Sequence, residues 1–496
     1  MGKSLKALYQ ELDSKRSGVL STARDCAKLT IPSLLPDENT DDNTVFDTPY
    51  QSIGSEAVNS LSSKLLTALL PSSSSFFRLT PNAEALNEAM YEGGVEVKSM
   101  ILKKLSEIEK EITSEIDRSA LRVPTAHAFK LLITTGNALV NYQDKKMRVF
   151  NLNQYVCARN PMGYPTDIVV KETMRPYDLP ESIQGEFTGE TVDVYTGIIF
   201  NGKDYDIFQE AGEIEVPETR GVIKKDNLNW LPLRWTSVQG ENYGRGLAEH
   251  YLGDLRTIEA LTQAVVEAAG ASSKVLFMVN PKGMTNIKEV AKSKNGAIIK
   301  GRAEDVQTLQ VQKTGDLRVA EAMLIKLAER ISRNFLSAMS ARRDAERVTA
   351  EEIRLMANEL ESTLGGVYSV LSQEFQLPLV KMLIKDSGIK LPKDLVEPVI
   401  ITGLEALSRT NEYNKLVTFS QSVSGLLGPQ AFTQYANADA IIDKIAMSLG
   451  LDIDGLIKSP EQMQQEQEQA MMMQSAQAGL DQAAVGVGQQ MVEGEQ

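Results

Sequence analysis

Residues Gly244–Ser273 read GRGLAEHYLGDLRTIEALTQAVVEAAGASS, and the apolar positions Leu247, Tyr251, Leu255, Ile258, Leu261, Val265 and Ala269 recur at the spacing of one helical face. At 1.5 Å per residue such a helix runs about 40 Å. A second stripe occupies Leu317–Leu336 (LRVAEAMLIKLAERISRNFL) through Ala320, Leu324, Leu327, Ile331 and Phe335. Between the two lies a β-like insertion, with strands expected at Lys274–Asn280, Ala297–Lys300 and Val306–Gln312 and a turn at Asn280-Pro281-Lys282-Gly283. Two long helices enclosing a β insertion make a protruding stem rather than a closed catalytic pocket. Pattern alone favours an ordinary intrachain bundle as the partner of these stripes over identical subunits in a closed ring.

Downstream, Ser337–Arg347 is a polar segment holding Arg342, Arg343 and Arg347. Thr349 and Glu352 have the spacing of a capping box ahead of a long helix, whose face is Ile353, Met356, Leu360, Leu364, Val367, Leu371 and Phe375. Gly365-Gly366 and Pro378 predict a kink in it. Shorter helices are expected to about residue 457. Ser459–Gln496 holds six acids and no Lys or Arg, which predicts a surface helix or a disordered tail. Upstream, the spacing predicts helices over Ile53–Leu70, within 84–118, and over Ala126–Thr135 with Pro124 in the first turn. Short β runs follow at Ala138–Tyr142, Asp167–Lys171, Val192–Phe200, Tyr205–Gln209 and Leu231–Thr236, with Asn201-Gly202 as a hairpin turn needing positive φ at both positions.

The chain has 496 residues, 52 Lys+Arg and 66 Asp+Glu, hence a formal charge of −14, with 42% apolar and 24% charged residues. This is a globular composition of two to four domains. Net acidity argues against gripping nucleic acid across a broad surface, since that requires neutralising phosphates. Two separated cysteines, Cys26 and Cys157, support neither a disulfide scaffold nor a zinc site and fit a reduced setting. No secretion signal, myristoylation signal or membrane span is expected.

The inventory of chemistry is thin. His127 and His250 lie in no nucleophile-elbow context, so a triad has little to be built from, and both read as surface or core histidines. Gly197–Lys203 has P-loop spacing, but Asp204 replaces the required Ser or Thr and both flanks read as strands. Tyr243-Gly-Arg-Gly246 lacks a third glycine and reads as a flexible lead into the helix. No catalytic residue, metal or cofactor is expected.

Longer phrases are more specific. Cys26–Pro36 (CAKLTIPSLLP), Ala57–Pro71 (AVNSLSSKLLTALLP), Glu241–Gly246 (ENYGRG), Tyr251–Arg256 (YLGDLR), Ser272–Val275 (SSKV), Asn280-Pro281, Arg347–Arg354 (RVTAEEIR), Glu361–Gln373 (ESTLGGVYSVLSQ) and Glu397–Glu405 (EPVIITGLE) resemble, in the same order, the portal or head-to-tail connector proteins of short-tailed bacteriophages. The resemblance runs from about 20 to 420. It implies a mainly α fold with β-rich subdomains (α+β), a portal fold of wing, stem, clip and crown that assembles as a ring. Carried onto this chain, residues 1–243 would be the wing, 244–273 and 316–336 the stem helices, and 274–315 the clip. Residues 337–349 would be the channel loop, 350–386 the kinked wing-to-crown helix, 387–458 the crown and 459–496 the tail. The implied assembly is a homododecamer at one capsid vertex, at the head-tail junction of the virion, assembled in the host cytoplasm.

Double-stranded DNA would pass through the channel in packaging and ejection. The implied partners are the terminase large subunit, tail adaptor and tail tube proteins, major capsid and scaffolding proteins and internal core proteins, without a membrane. In this reading the chain is not an enzyme, and a separate terminase supplies ATP hydrolysis. Arg342, Arg343 and Arg347, then Lys282 and Lys300, are the DNA-channel candidates; pairing of the arginines with Asp344, Glu346 or a neighbour's carboxylates is the alternative. Arg245, Tyr251, Leu255, Leu324 and Ile331 are the ring-interface candidates. The competing classes are a capsid or scaffolding protein without a channel and a nucleotide-dependent nucleic-acid enzyme.

Overall fold

The structure is a computed structural model that describes residues 3–37, 40, 43–71, 75–82, 101, 104–272, 276–294, 296–309, 314–336, 364–389, 396–400, 417–423 and 425–426. Helices α1 (Leu5–Lys15) and α2 (Ser17–Lys28) precede α3 (Ile53–Leu69), strand β1 (Phe77–Pro81), α4 (residues 104–118) and α5 (Arg122–Thr135). α3 stops where Pro71 was expected to stop it, and Pro124 sits in the first turn of α5, where a missing N–H costs nothing. In α5, Ala128, Phe129, Leu131, Leu132 and Ile133 are all buried, so this helix runs through the interior, packed by α2, α3 and the sheet that follows it.

That sheet joins β2 (Asn137–Gln143), β3 (Lys146–Phe150) and, later in the chain, β9 (Trp230–Arg234) in the order β3-β2-β9. Between them β4 (Tyr155–Arg159), β5 (Pro165–Met174), the short α6 (Glu181–Gln184), β6 (Val192–Phe200), β7 (Tyr205–Ala211) and β8 (Ile214–Ile223) form an antiparallel meander in chain order. All five expected β runs are strands. The Asn201-Gly202 turn differs from expectation. Gly202 alone takes positive φ, while the Asn201 carboxamide oxygen accepts the N–H groups of Lys203 (3.1 Å) and Asp204 (2.9 Å) and so shapes a four-residue loop. The hairpin leaves no helix N-terminus behind Gly197–Lys203 to meet a phosphate. Arg16 is buried at the base of the meander and donates to the Tyr155 carbonyl (2.7 Å) and to Asp13 (2.8 Å), fastening the two N-terminal helices to β4.

The expected flexible lead at residues 243–246 is a close crossing of two backbones. A Cβ on Gly246 would lie 2.8 Å from the Gly136 nitrogen and 3.0 Å from the Thr134 oxygen, and Gly136 itself has φ +78. Beyond the crossing the expected 40 Å helix is two pieces, α7 (Leu247–His250) and α8 (Leu252–Ser272), separated at Tyr251 with φ −110. Strand β10 (Leu276–Val279), α9 (Ile287–Lys292), β11 (Val306–Leu309) and α10 (Thr314–Asn334) complete the hairpin-shaped excursion. Residues 297–300, expected as a strand, are irregular: β10 is paired by β11, and Ile298 is fully exposed between Gly296, with φ +84, and Gly301.

α11 (residues 364–386) is helical throughout, and Gly365-Gly366 does not interrupt it. Ser372–Gln376 is a π turn placed just before Pro378, which widens the helix where a proline ring would press on the preceding carbonyls. The π turn aims Glu374 at Arg234 of β9, which donates from Nε (3.1 Å) and Nη2, and lets Gln376 donate to the Leu69 carbonyl (2.7 Å) at the end of α3. Strand β12 (Val396–Ile400) pairs antiparallel with β1, from Phe77↔Ile400 to Pro81↔Val396. Contacts divide the chain into Met1–Gly403 and Leu404–Gln496, so β12 belongs with the first unit; within the second, residues 417–423 and 425–426 are described and helical. The expected N-terminal part of the 350–386 helix, the rest of the crown and the 459–496 tail lie outside the described residues.

The crossing gives a direct expectation. Gly246→Ala forces backbone apart and should lower stability by about 1–3 kcal/mol. Gly18→Ala, in α2 with nothing within 4 Å of the added methyl, should raise it by about 0.5–1 kcal/mol. Opposite shifts of the thermal unfolding midpoint check both.

Candidate functional site

α8 and α10, the helices expected to be the stem, pack as an antiparallel pair with β10, α9 and β11 between their outer ends. Both helices have 21 residues, about 30 Å each. Their roots are apolar and enclosed: Leu255 and Ile258 of α8 meet Leu327, Ile331 and Phe335 of α10 in the main core. Tyr251 stands at the break before α8, its ring 5.7 Å from that of Phe335 at an angle of 58°. Arg330 pairs with Asp254 across the root, and Arg256 with Asp25 of α2 at 2.6 Å. Further out the pattern changes. Between Glu259 and Ala271, and between Leu317 and Lys326, no residue is buried, and Val266, Val319, Met323 and Ile325 are exposed.

The expected interface residues therefore separate. Leu255 and Ile331 are covered entirely by their own chain and present no surface. Tyr251 and Leu324 are half-buried against the core. Arg245 is bracketed by Glu241 and Glu249 at 2.9 Å each, and its hydrogen bond holds the Glu241 carboxyl below the usual carboxylate range. The apolar surface exposed on these helices comes instead from positions nearer their outer ends, with Val266 on the same face of α8 as the buried Leu255 and three turns further out.

At the tip, β10 and β11 pair from Leu276↔Leu309 to Val279↔Val306. The buried Asp305 organises the turn between them. Its carboxylate accepts the N–H groups of Met284 (3.0 Å) and Thr285 (3.2 Å) and the Thr285 hydroxyl (2.8 Å), while its carbonyl accepts the Asn280 N–H (2.9 Å). Gly283 is required there because a Cβ would lie 2.5 Å from the Asp305 Cγ. Lys282, in this turn, and Lys300 are both exposed. Residues 274–313 carry eight Lys or Arg and three acids, a local +5 in a chain of −14.

The inner end of α10 is pinned. Leu336 takes φ +55, and its carbonyl accepts a hydrogen bond from Nζ of Lys64, which is buried in α3. This fixes the point from which the expected channel loop departs; Arg342, Arg343 and Arg347 lie outside the described residues. Lys64 was not among the sequence candidates. Its signal was a lysine set beside Leu61 and Leu65 on an apolar stripe, a place a cation occupies only with a partner.

Reactive chemistry has little material among the described residues. No group of three or more His, Cys, Asp or Glu there is arranged to hold a metal, and no helix is long and apolar enough to cross a membrane. Burial pushes the Cys26 thiol up to about 12 and raises that of Cys157, so both stay protonated at neutral pH. His127 and His250 are exposed on helices. What the paired helices do present is exposed apolar surface at Val266, Val319, Met323 and Ile325.

Residues 2–457 match the family of bacteriophage head to tail connecting protein. The chain is 36% identical to the portal protein of Enterobacteria phage T3, over 97% of this chain and 92% of that one, and 36% identical to the portal protein of Escherichia phage T7, over 98% and 93%. It is 32% identical to the portal protein of Enterobacteria phage SP6, over 97% and 96%. A chain of mixed helix and sheet is thus matched along nearly its whole length, and it belongs to the bacteriophage head-to-tail connecting family, a portal protein by descent.

Proposed function

We propose that this chain forms a dodecameric ring at one vertex of the capsid and that double-stranded DNA crosses the ring's axial channel during packaging and ejection. The observation that carries this reading is the outer stem. Its helices leave Val266, Val319, Met323 and Ile325 in water, and exposed apolar stripes of this kind mark contact surfaces. Neighbouring copies in a closed ring would cover them, burying about 2,000 Å² or more per obligate contact. Electron microscopy of the purified full-length chain should show rings with a DNA-sized central hole; a lattice, a solid core or a persistent monomer overturns the reading.

The chain itself supplies no ATP hydrolysis in this account. A terminase docks on the clip while DNA enters, and tail proteins take its place afterwards; capsid, scaffolding and internal core proteins surround the vertex. Lys282 and Lys300 stand at the clip as exposed cations for passing phosphates. DNA carries one charge per ~1.7 Å of axis, so a few cations hold it briefly where a continuous basic wall would retain it. Arg342, Arg343 and Arg347 are proposed to make such transient contacts from the channel loop. Replacing all three by Gln should reduce packaging or retention of DNA in assembled particles, and unchanged values for both would remove them from the mechanism.

Lys64 sets the base of that loop. Lys64→Met leaves the Leu336 carbonyl without its charged donor in a buried place, at a cost of about 1–3 kcal/mol. The variant should melt earlier, with faster hydrogen exchange at the end of α10; unaltered exchange there would show that the lysine does not seat the loop.

A further inference from the structure

Residues 43–50 form an irregular segment whose first six residues are all exposed, Val45 at 89%. Val45, Phe46 and Tyr50 face solvent and belong to none of the chain's apolar clusters. Free coil of this sort is usually polar, yet this one presents a valine, a phenylalanine and a tyrosine within six positions. Nor does it float. Six residues upstream of it, Asp37 pairs with Lys28 of α2 at 3.4 Å. At its C-terminal end, the Glu259 carboxylate of α8 accepts the N–H groups of Tyr50 (2.9 Å) and Gln51 (3.2 Å). Gln51 is in turn buried between the Leu29 carbonyl (2.7 Å) and the Gly54 N–H (2.8 Å). The segment is a strap held at its Tyr50–Gln51 end, and among the described residues Val45 and Phe46 belong to no apolar cluster of their own chain.

A matching surface lies on the stem. Val319, Met323, Lys326, Arg330 and Arg333 recur on one stripe of α10, about a third of a turn round from the buried Leu327, Ile331 and Phe335; Arg330 is paired with Asp254 of its own α8, while Val319 is 69% and Met323 50% exposed. The stripe is apolar towards the clip and cationic towards the core. Residues 37–47 have the opposite charge, five acids and no Lys or Arg. In a ring the contact is heterologous, so the surface beside α8 of one copy meets a different surface of the next.

Given the ring reading, on which this rests, we infer that residues 45–50 are an intersubunit strap: Val45 and Phe46 cover the Val319 and Met323 face of the neighbouring copy's α10, and Asp47 lies against that copy's Lys326. The occupant is a second copy of this chain because one chain leaves both halves of a complementary pair uncovered. The strap's root on α8 also lies on the stem that the neighbour must approach.

Mixing two full-length single-cysteine variants tests this, since each linked pair must then join two copies. F46C or V45C is combined with M323C or V319C under oxidising conditions; the native cysteines are buried. At least one mixture should give disulfide-linked dimers on a denaturing gel, with neither variant doing so alone. Separately, D47K should lower the ring fraction at limiting protein about tenfold, and D47K combined with K326E should restore it. Rings that form without any cross-link and ignore the charge reversal would overturn the strap and leave the ring reading standing. Wild-type chains that never form rings would overturn both. A double variant F46C/M323C that yields only an intrachain disulfide would place the strap on its own stem and overturn the proposal.

Discussion

Where Gly136 meets Gly244 and Gly246, two stretches of backbone pass with no side chain between them, and the position of the stem depends on that contact. Gly136 ends α5, the helix at the centre of the core; Gly246 immediately precedes α7. Asn137, buried, locks the crossing in both directions: its Nδ2 donates to the Gly244 carbonyl (2.9 Å) and its Oδ1 accepts the Gly244 N–H (2.7 Å). The Gly136 carbonyl accepts the Trp235 N–H (2.9 Å), which ties in the strand that precedes the stem. Each of these groups would cost about 1–3 kcal/mol if left buried and unpaired, so the stem direction is set by polar groups with one arrangement that satisfies them all. Arg234–Glu374 and Gln376–Leu69 extend this fixed frame to α11.

Charge is segregated along the molecule in a way that its total conceals. A chain of −14 looks unsuited to DNA, yet the clip region alone is +5. Fields from exposed charges fade over roughly 8–10 Å at physiological salt, so the acidic remainder does not cancel a cationic tip at the far end of a 30 Å helix pair.

Much of this was legible in the sequence because it depends on period and on chain-breaking residues. The α3 boundaries, Pro124 in the first turn of α5, the five β runs and the two stem helices follow from local pattern. Strands β3, β4 and β8 were missed because their cores are short or their outer positions polar, and β1 and β12 because each is made a strand by the other. The flexible reading of residues 243–246 failed for a related reason: a glycine that permits turning and a glycine that permits contact look the same until the partner backbone is known. Leu255 and Ile331 show the limit of a stripe. Periodicity says that a face is covered, while burial shows that the root is covered by its own chain and that exposed apolar side chains begin at Val266 on α8 and Ile325 on α10. Lys64 and Asp305 work through carbonyl and amide partners far away in sequence or around a turn, which residue type alone does not reveal.

The pairing of β1 with β12 also imposes an order of events on synthesis. Phe77 and Ile400 are roughly 320 positions apart, so at about 5–20 residues per second β1 emerges from the ribosome some 16 s or more before its partner strand exists. During that interval β1 is an open edge, and such edges recruit whatever strand comes near. On the other edge of β1, the Leu79 N–H, opposite a proline that cannot exchange hydrogen bonds with it, donates to Glu109 of α4 at 2.7 Å. The pairing of β1 can therefore be completed only after everything from β2 to α11 has been made.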